Sequence, residues 1–431
     1  MARARPAQCE WASRSKRDRI AALKEAERLF TAERDDIVSL IQSETGFPRK
    51  DIVGAYNGAL RGVDYYAGNY LSQGNRSFEL DQKSWPDTEV EVEFVPHGVI
   101  AHIGIWNYPF WQTMITAIPA LMTGNAIVFK PSEHTSLTGL RISEVLHRAG
   151  VPSDVFIPLI GGKEVGREMV RSNFDALVFT GGQSTGLEIM HRSNVKPLLL
   201  ELSGNDPAIV CSDADIQQTA RGIAYGSLYH AGQVCIRVKR VYVVRSRADE
   251  LLAGILEIVH GLDVKQSIGP LISAEARAKV HEQVNDAVGR GAELLAGGRP
   301  MEGPGFYFEP TVLMVRQGKD VRFDEEIFGP VCPIMVVEDE EEAIRRANDS
   351  CYGLGATVWS QDPSKARDIA SRLEAGTVWI NECCRTFNCG EYFQGWKSSG
   401  LASAQDRLTM FMKKKAIIHN RSCKPRDHWF K

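Results

Sequence analysis

Ala126-Ile127-Val128-Phe129-Lys130-Pro131-Ser132-Glu133 is a short apolar run that ends in a cation, a proline and a carboxylate. It reads as a buried strand, Ala126 to Lys130, meeting a loop. Four more stretches on either side repeat the form: Val99 to Ile103, Val155 to Ile160, Ala176 to Thr180 and Pro197 to Leu202, with helical patterns such as Ser136 to Ala149 between them. Buried strands alternating with helices predict an α/β fold with a parallel, doubly wound sheet. Ligands in such sheets gather at the carboxyl ends of the strands. Two features lie there. One is the Lys130 to Glu133 corner, and the other is Phe179-Thr180-Gly181-Gly182-Gln183-Ser184, a strand, a glycine turn and a helix start, where backbone N–H groups can approach a pyrophosphate. The glycine spacing is not G-x-G-x-x-G, so alone it reads as a plain strand-to-helix turn.

A second alternating series begins at Asp206. It comprises the helical Ala214 to Tyr229, a strand Val241 to Val244, the helical Ala274 to Arg290 and a strand near Phe306 to Val315. The acidic Phe323-Asp324-Glu325-Glu326-Ile327-Phe328-Gly329-Pro330-Val331 interrupts it. After that loop come the helical Glu340 to Asn348, the strand Gly355 to Ser360, the helical Ser364 to Leu373 and the strand Thr377 to Ile380. Upstream, Lys16 to Thr45 and Lys50 to Leu71 each read as one helical stretch. Glu89 to Val95 alternates charged and apolar residues, as a half-exposed strand does; its acidic face is a solvated surface or the outer side of an arm reaching another subunit. The end of the chain reads as a helix, Gln405 to Met412, and a strand, Lys415 to His419.

Tyr229-His230-Ala231-Gly232-Gln233-Val234-Cys235-Ile236 sets one cysteine in a turn-like segment between a helical pattern and a strand. Thirty-four positions earlier, Leu198-Leu199-Leu200-Glu201-Leu202-Ser203-Gly204 ends an apolar run in a carboxylate. Further upstream, Ile105-Trp106-Asn107-Tyr108-Pro109 offers an amide. Carbonyl chemistry needs a nucleophile, a base and an oxyanion donor, and Cys235, Glu201 and Asn107 are candidates for the three. Taken singly, each has a bland reading: a buried cysteine is a small hydrophobe, Lys130 a solvated charge, and His230 a packing residue rather than a second base.

With 431 residues, 43% hydrophobic and 24% charged, the chain is long enough for two or three domains. Its 51 basic and 54 acidic side chains leave a net charge of -3, which argues against nucleic acid or an anionic membrane as partner and for a small molecule. The basic start has no apolar run behind it, and no segment approaches bilayer-spanning length. Nine cysteines, an odd number spread over the chain, suit a reducing compartment, so the cytoplasm is expected. Cys383, Cys384 and Cys389 lack paired metal-ligand spacing, and no metal is expected.

From about Trp11 onward the chain resembles the NAD(P)-dependent aldehyde dehydrogenases. The resemblance rests on an ordered set: Trp106-Asn107-Tyr108-Pro109, Gly124-Asn125 leading to Lys130-Pro131-Ser132-Glu133, Phe179-Thr180-Gly181-Gly182, Glu201-Leu202-Ser203-Gly204, Gly232-Gln233-Val234-Cys235 and Glu325-Glu326-Ile327-Phe328-Gly329-Pro330-Val331. It implies two doubly wound parallel-sheet domains and a small β oligomerisation arm. The NAD-binding domain would take residues 1–80 and 96–202, the catalytic domain 203–400, and the oligomerisation elements 81–95 and 401–431, in a homodimer or homotetramer. Lys130 and Glu133 would hold the adenosine ribose, Gly182 would approach the pyrophosphate, Glu326 would bind the nicotinamide ribose and Phe328 would pack near the nicotinamide. Ile103, Trp106, Ser132, Gly162, Phe179, Thr180, Gly181 and Leu202 complete the implied cofactor contacts. Glu133 repels a 2′-phosphate, which favours NAD over NADP.

The implied reaction is attack of Cys235 on an aldehyde, an oxyanion held by Asn107 and the Cys235 N–H, oxidation, and hydrolysis of the thioester with Glu201 as base. Trp111, Tyr229, Ile236 and residues 381–394 would shape the substrate tunnel, and Arg237 or Arg385 could bind the carboxylate of a semialdehyde. Against the family pattern, Gly182 stands where many members carry serine and Ser203 where they carry glycine. The loop Asp263-Val264-Lys265-Gln266 looks shortened, 393–400 keeps part of a glycine-rich pattern, and the chain starts inside the usual family start. These departures keep a second reading open, a catalytically impaired relative with a structural or binding role.

Overall fold

Valine, isoleucine and alanine fill Val99–Ile103 and Ala126–Lys130 because both faces of these strands are covered by helices. The structure, a computed structural model, describes residues 1–81, 83, 85, 87–193, 196–316, 321–385, 395–401 and 407–423. Among them, a six-stranded sheet runs in the order Gly400–Leu401, Leu198–Glu201, Ala176–Thr180, Val99–Ile103, Ala126–Lys130, Phe156–Pro158. All its pairs are parallel except the Gly400–Leu401 edge. A seven-stranded sheet runs Glu293–Ala296, Thr311–Val315, Val331–Val337, Val238–Val244, Asp206–Val210, Gly355–Trp359, Thr377–Ile380, again parallel but for its first strand. Each sheet carries its own apolar core; the first also takes Leu408, Phe411 and Met412 from near the C-terminus. A third, antiparallel sheet joins Arg76–Phe78, Thr88–Pro96 and Met412–Asn420, leaving Ile418 70% exposed.

The structure departs from the expected elements where proline or a local break intervenes. Val331–Val337, wholly buried, contains Pro333, which disguises a central strand. Asp206–Val210 contains Pro207 and shifts register there. The expected helix from Lys16 to Thr45 is two, Lys16–Ala32 and Arg34–Thr45, broken at Glu33, whose carboxylate faces Arg141 and Arg148. Likewise Arg49–Leu60 and Gly62–Ser72 divide at Arg61. The Phe306 to Val315 strand shrinks to Thr311–Val315, and the C-terminal helix, described from Arg407, ends at Met410 instead of Met412, with 402–406 outside the described residues. Among the described residues no helix is long and apolar enough to cross a membrane.

The consequence for function is a meeting of ends. Ile103, Lys130, Thr180 and Glu201 close four neighbouring strands of the first sheet, all at their carboxyl ends. Cys235 precedes Val238–Val244, near the middle of the second sheet. Both groups line one cavity.

Candidate active site

Helix Ile216–Leu228 ends seven residues before the nucleophile candidate, and the chain then reverses sharply. His230, Ala231 and Gly232 take left-handed backbone, with φ of +56°, +52° and +69°. Two of the three are not glycine, and each such residue costs about 1–3 kcal/mol, so neighbours must hold the turn. His230 is stacked on Phe47, with ring centroids 4.1 Å apart, and on Tyr108 at 4.8 Å. At Gly232 a Cβ would lie 1.9 Å from the Gly329 carbonyl oxygen, so only glycine fits. The turn delivers Cys235 to the cavity with its thiol pushed up to about 12, by burial first and then by Asp206, Glu326 and Glu201, against the pull of Lys239. At neutral pH the resting side chain is a thiol and needs a base.

Glu201 is held at both oxygens. Gln112 Nε2 donates to Oε2 at 2.7 Å, and Arg407 Nη2 donates to Oε1 at 2.8 Å. The same Gln112 nitrogen donates to Thr180 Oγ1 at 2.7 Å. Asn107 Nδ2 donates to the Gln233 carbonyl at 2.8 Å, which fixes the amide while its second hydrogen remains for a ligand. Lys239 donates to the Cys235 carbonyl and pairs with Glu326 at 3.0 Å.

A cavity of about 590 Å³ opens on one side of Cys235. Ile103, Trp106, Asn107, Lys130, Ser132 and Glu133 line it, as do Phe179, Thr180, Gly181, Gly182, Leu202, Glu326 and Phe328. Gly162 does not; it caps the helix Lys163–Arg171, whose Lys163 and Arg167 do. Lys130 is 4% exposed, donates to the Pro131 carbonyl at 3.1 Å, and has its pKa lowered by burial against the pull of Glu133. Phe328 meets Trp106 edge-on at 5.9 Å. Helix Gln183–Arg192 begins at Gly182 without a side-chain cap, so its first-turn N–H groups lack intrahelical partners where Gly182 and Thr185 face the cavity. These features fit a dinucleotide: free N–H donors and flanking cations for a pyrophosphate, and a carboxylate and a buried ammonium for ribose hydroxyls.

A second cavity of about 510 Å³ lies on the other side and is lined by Tyr108, Trp111, Tyr225, Tyr229, Ile236 and Asp51 among others. Of the expected tunnel residues, Trp111, Tyr229 and Ile236 are there. So are Cys384 and Arg385 of 381–394; residues 386–394 lie outside those described. Arg237 is not available to a substrate carboxylate. It is fully buried, and its guanidinium donates to the carbonyls of Ser227, Val238, Val331 and Ile327. The expected cysteine cluster has Cys383 and Cys384 beside Gly226, with Cys389 outside the described residues. Sequence reading passed over Gln112, Asp51, Lys239 and Arg407. Gln112 sits on the buried face of helix Pro109–Met122, and Arg407 is 206 positions from its partner, so neither carries a local signal.

The aldehyde dehydrogenase family model matches residues 1–417. The chain belongs to the aldehyde dehydrogenase family. It is 36% identical over 406 residues to the betaine aldehyde dehydrogenase of Bacillus subtilis, covering 91% of this chain and 82% of that one. Against the betaine aldehyde dehydrogenase of Vibrio vulnificus it is 35% identical over 387 residues, covering 86% and 78%. Among solved structures, a Staphylococcus aureus betaine aldehyde dehydrogenase in complex with NAD+ superposes with a TM-score of 0.93 at 31% identity, covering all of this chain and 88% of that one. The γ-glutamyl-γ-aminobutyraldehyde dehydrogenase of Burkholderia cenocepacia gives 0.92 at 30% identity, covering 97% and 88%. The chain is thus an NAD(P)-dependent oxidoreductase that converts an aldehyde to a carboxylic acid, and no comparison points to an impaired relative.

Proposed function

We propose that Cys235 is the nucleophile of this aldehyde dehydrogenase, Glu201 its base and Asn107 its oxyanion donor. The observation that carries this reading is that all three line both cavities, so an aldehyde entering from one side and a cofactor from the other meet at the same atoms. The neutral thiol gives its proton to a base as sulfur bonds the aldehyde carbon, and the oxyanion accepts hydrogen bonds from the Asn107 amide and the Cys235 N–H. A bound nicotinamide dinucleotide supplies the hydride acceptor. Once the adduct is oxidised to a thioester, Glu201 takes a proton from water as that oxygen bonds the carbonyl carbon. The carbon–sulfur bond then breaks, releasing the acid and restoring the thiol.

Lys130 and Glu133 would hold the adenosine ribose, Gly181, Gly182 and the helix they open would hold the pyrophosphate, and Glu326 the nicotinamide ribose beside Phe328. Glu133 supports NAD over NADP, because a carboxylate beside that ribose repels a 2′-phosphate. The first sheet would then be the NAD-binding domain and the second the catalytic domain. The exposed Ile417 and Ile418 on the three-stranded sheet support a subunit contact in a homodimer or homotetramer, and the cysteine usage supports a cytoplasmic location.

For substrate, the tyrosine and tryptophan faces with Asp51 favour an aldehyde carrying a cation, in keeping with the names of the relatives. A semialdehyde retains Arg385 as its supporting residue, whose side chain is 63% exposed and 3.4 Å from Glu382. The test is NADH formation, followed by absorbance, with NAD or NADP against trimethylammonium, aliphatic, aromatic and carboxylated aldehydes, beside Cys235→Ala. Turnover fastest on the trimethylammonium aldehyde with NAD, and absent in the variant, is expected. Equal rates in the variant would remove Cys235 from the reaction.

A further inference from the structure

The base candidate is clamped by the C-terminal segment. Gly400 pairs through the backbone with Glu201, and Leu202 N–H donates to the Ser399 carbonyl at 2.9 Å. The chain then returns to the same carboxylate through Arg407, at the start of the short helix Arg407–Met410. That helix is anchored, since Leu408 and Phe411 are buried in the first core. The Arg407 and Glu201 side chains are 8% and 11% exposed, so water does little to screen their pairing. On the opposite oxygen, Gln112 is itself fixed by Thr180 and by burial.

We infer that Arg407 is a positioning residue for thioester hydrolysis, holding Glu201 aimed while the Gln112 amide fixes its other oxygen. The inference rests on the assignment of Glu201 as base. A carboxylate has about four acceptor positions over its two oxygens, so two bonded donors orient it without blocking uptake of a proton from water. Without the guanidinium, only the Gln112 amide would hold the carboxylate, leaving Oε1 free to turn away from the attacking water. Attack of Cys235 and oxidation of the resulting adduct give the thioester before this duty arises, so the two halves of the reaction separate in time.

Arg407→Met is expected to keep a pre-steady-state NADH burst of about one per site, while steady-state turnover falls about 10- to 100-fold. Hydroxylamine, which attacks the thioester directly, restores turnover in the variant. Arg407→Lys, which keeps the charge in a similar volume, recovers most of the loss and serves as the measurement if Arg407→Met does not fold. In a Glu201→Gln background, Arg407→Met adds nothing further, because it acts through the carboxylate. Steady-state turnover unchanged in Arg407→Met, or burst and turnover falling together without rescue by hydroxylamine, would overturn the inference. A wild-type protein that forms NADH, with Glu201→Gln leaving steady-state turnover unchanged, would instead remove Glu201 as base, and this role of Arg407 with it.

Discussion

The two cavities that meet at Cys235 are built by different means. The wall of the larger comes from strand ends and the turns that follow them, so its contacts arrive in short runs: Lys130 to Glu133, Phe179 to Gly182, Glu326 to Phe328. The other is walled by side chains from separate elements, with Asp51 and Arg61 near one helix, Tyr108 and Trp111 at another, Tyr225 and Tyr229 at a third, and Leu354 and Arg385 far downstream. A cofactor common to many enzymes can be held by backbone geometry, which a run of residues encodes. A particular aldehyde must be recognised by shape and charge, which the whole fold assembles.

The thiol between the cavities gives the largest expected effect. With its pKa pushed up to about 12, Cys235 in the cofactor-free protein is thiolate to about one part in ten thousand at pH 8. An unperturbed thiol is about one quarter thiolate there, so Cys235 should react with iodoacetamide roughly a thousandfold more slowly than a free cysteine thiol in solution. The sign follows from the raised pKa: the proton is held below about 12, so the rate climbs about tenfold per pH unit from pH 7 upward. Peptide mapping by mass spectrometry reads each cysteine separately. Labelling of Cys235 as fast as a free cysteine thiol at pH 8 would mean that the base already holds the proton in the resting protein.

That difference in construction also decides what was legible beforehand. Val99–Ile103, Ala126–Lys130 and Ala176–Thr180 were readable to the residue because each is a buried run bounded by a turn. Val331–Val337 was hidden by Pro333, which is tolerated there because the surrounding strands hold its register. Glu33 breaks a helix whose apolar spacing runs straight through it, since its partners Arg141 and Arg148 belong to another helix. At the site, Cys235 and Glu201 stood out through their flanking turns. Gln112 and Arg407 did not, because a glutamine on an apolar helix and an arginine beside exposed strands acquire meaning only from Glu201 between them. Arg237 shows the reverse error: a charge one residue beyond the turn suggested a ligand, and the fold uses it to bind buried carbonyls.

Asp51 tests the second cavity on its own. Its carboxylate lies 3.6 Å from His230 Nδ1, and its Oδ2 is buried without a hydrogen-bond partner, which leaves an acceptor for a cation among the aromatic faces. Asp51→Asn removes the charge and keeps the shape. KM for a trimethylammonium aldehyde is expected to rise about fivefold, with kcat and the KM for NAD nearly unchanged, as loss of about 1 kcal/mol of binding shared by ground and transition states requires. A fall in KM for that substrate, or a rise for a neutral aldehyde of equal size, would assign Asp51 to the turn that holds His230 and take the charge preference away from this cavity.

The smallest expected effect sits on the opposite wall. Gly182 has φ −66° and ψ 144°, which any residue can adopt, and a Cβ there would meet nothing within 4 Å. By contrast, a Cβ on Gly181 would lie 2.4 Å from the Phe179 ring, so the two glycines of this turn are not equivalent. Gly182→Ser adds a hydroxyl at the cap position of Gln183–Arg192, where it can accept from an N–H of the helix's first turn or donate to a phosphate oxygen. If it caps, the melting temperature rises and NAD affinity stays level or falls, because the hydroxyl competes for donors that serve the anion. If it reaches the phosphate, NAD binds about two- to tenfold tighter, the equivalent of one net hydrogen bond of about 0.5–1.5 kcal/mol. Tighter binding, read by titration calorimetry, is the expected result, since the open space around Gly182 leaves the hydroxyl free to turn toward the cavity that Gly182 lines. An unchanged NAD affinity with a higher melting temperature would mean that the helix end, and not the ligand, takes the hydroxyl, and that the local run does less for the cofactor than its place in the cavity wall implies.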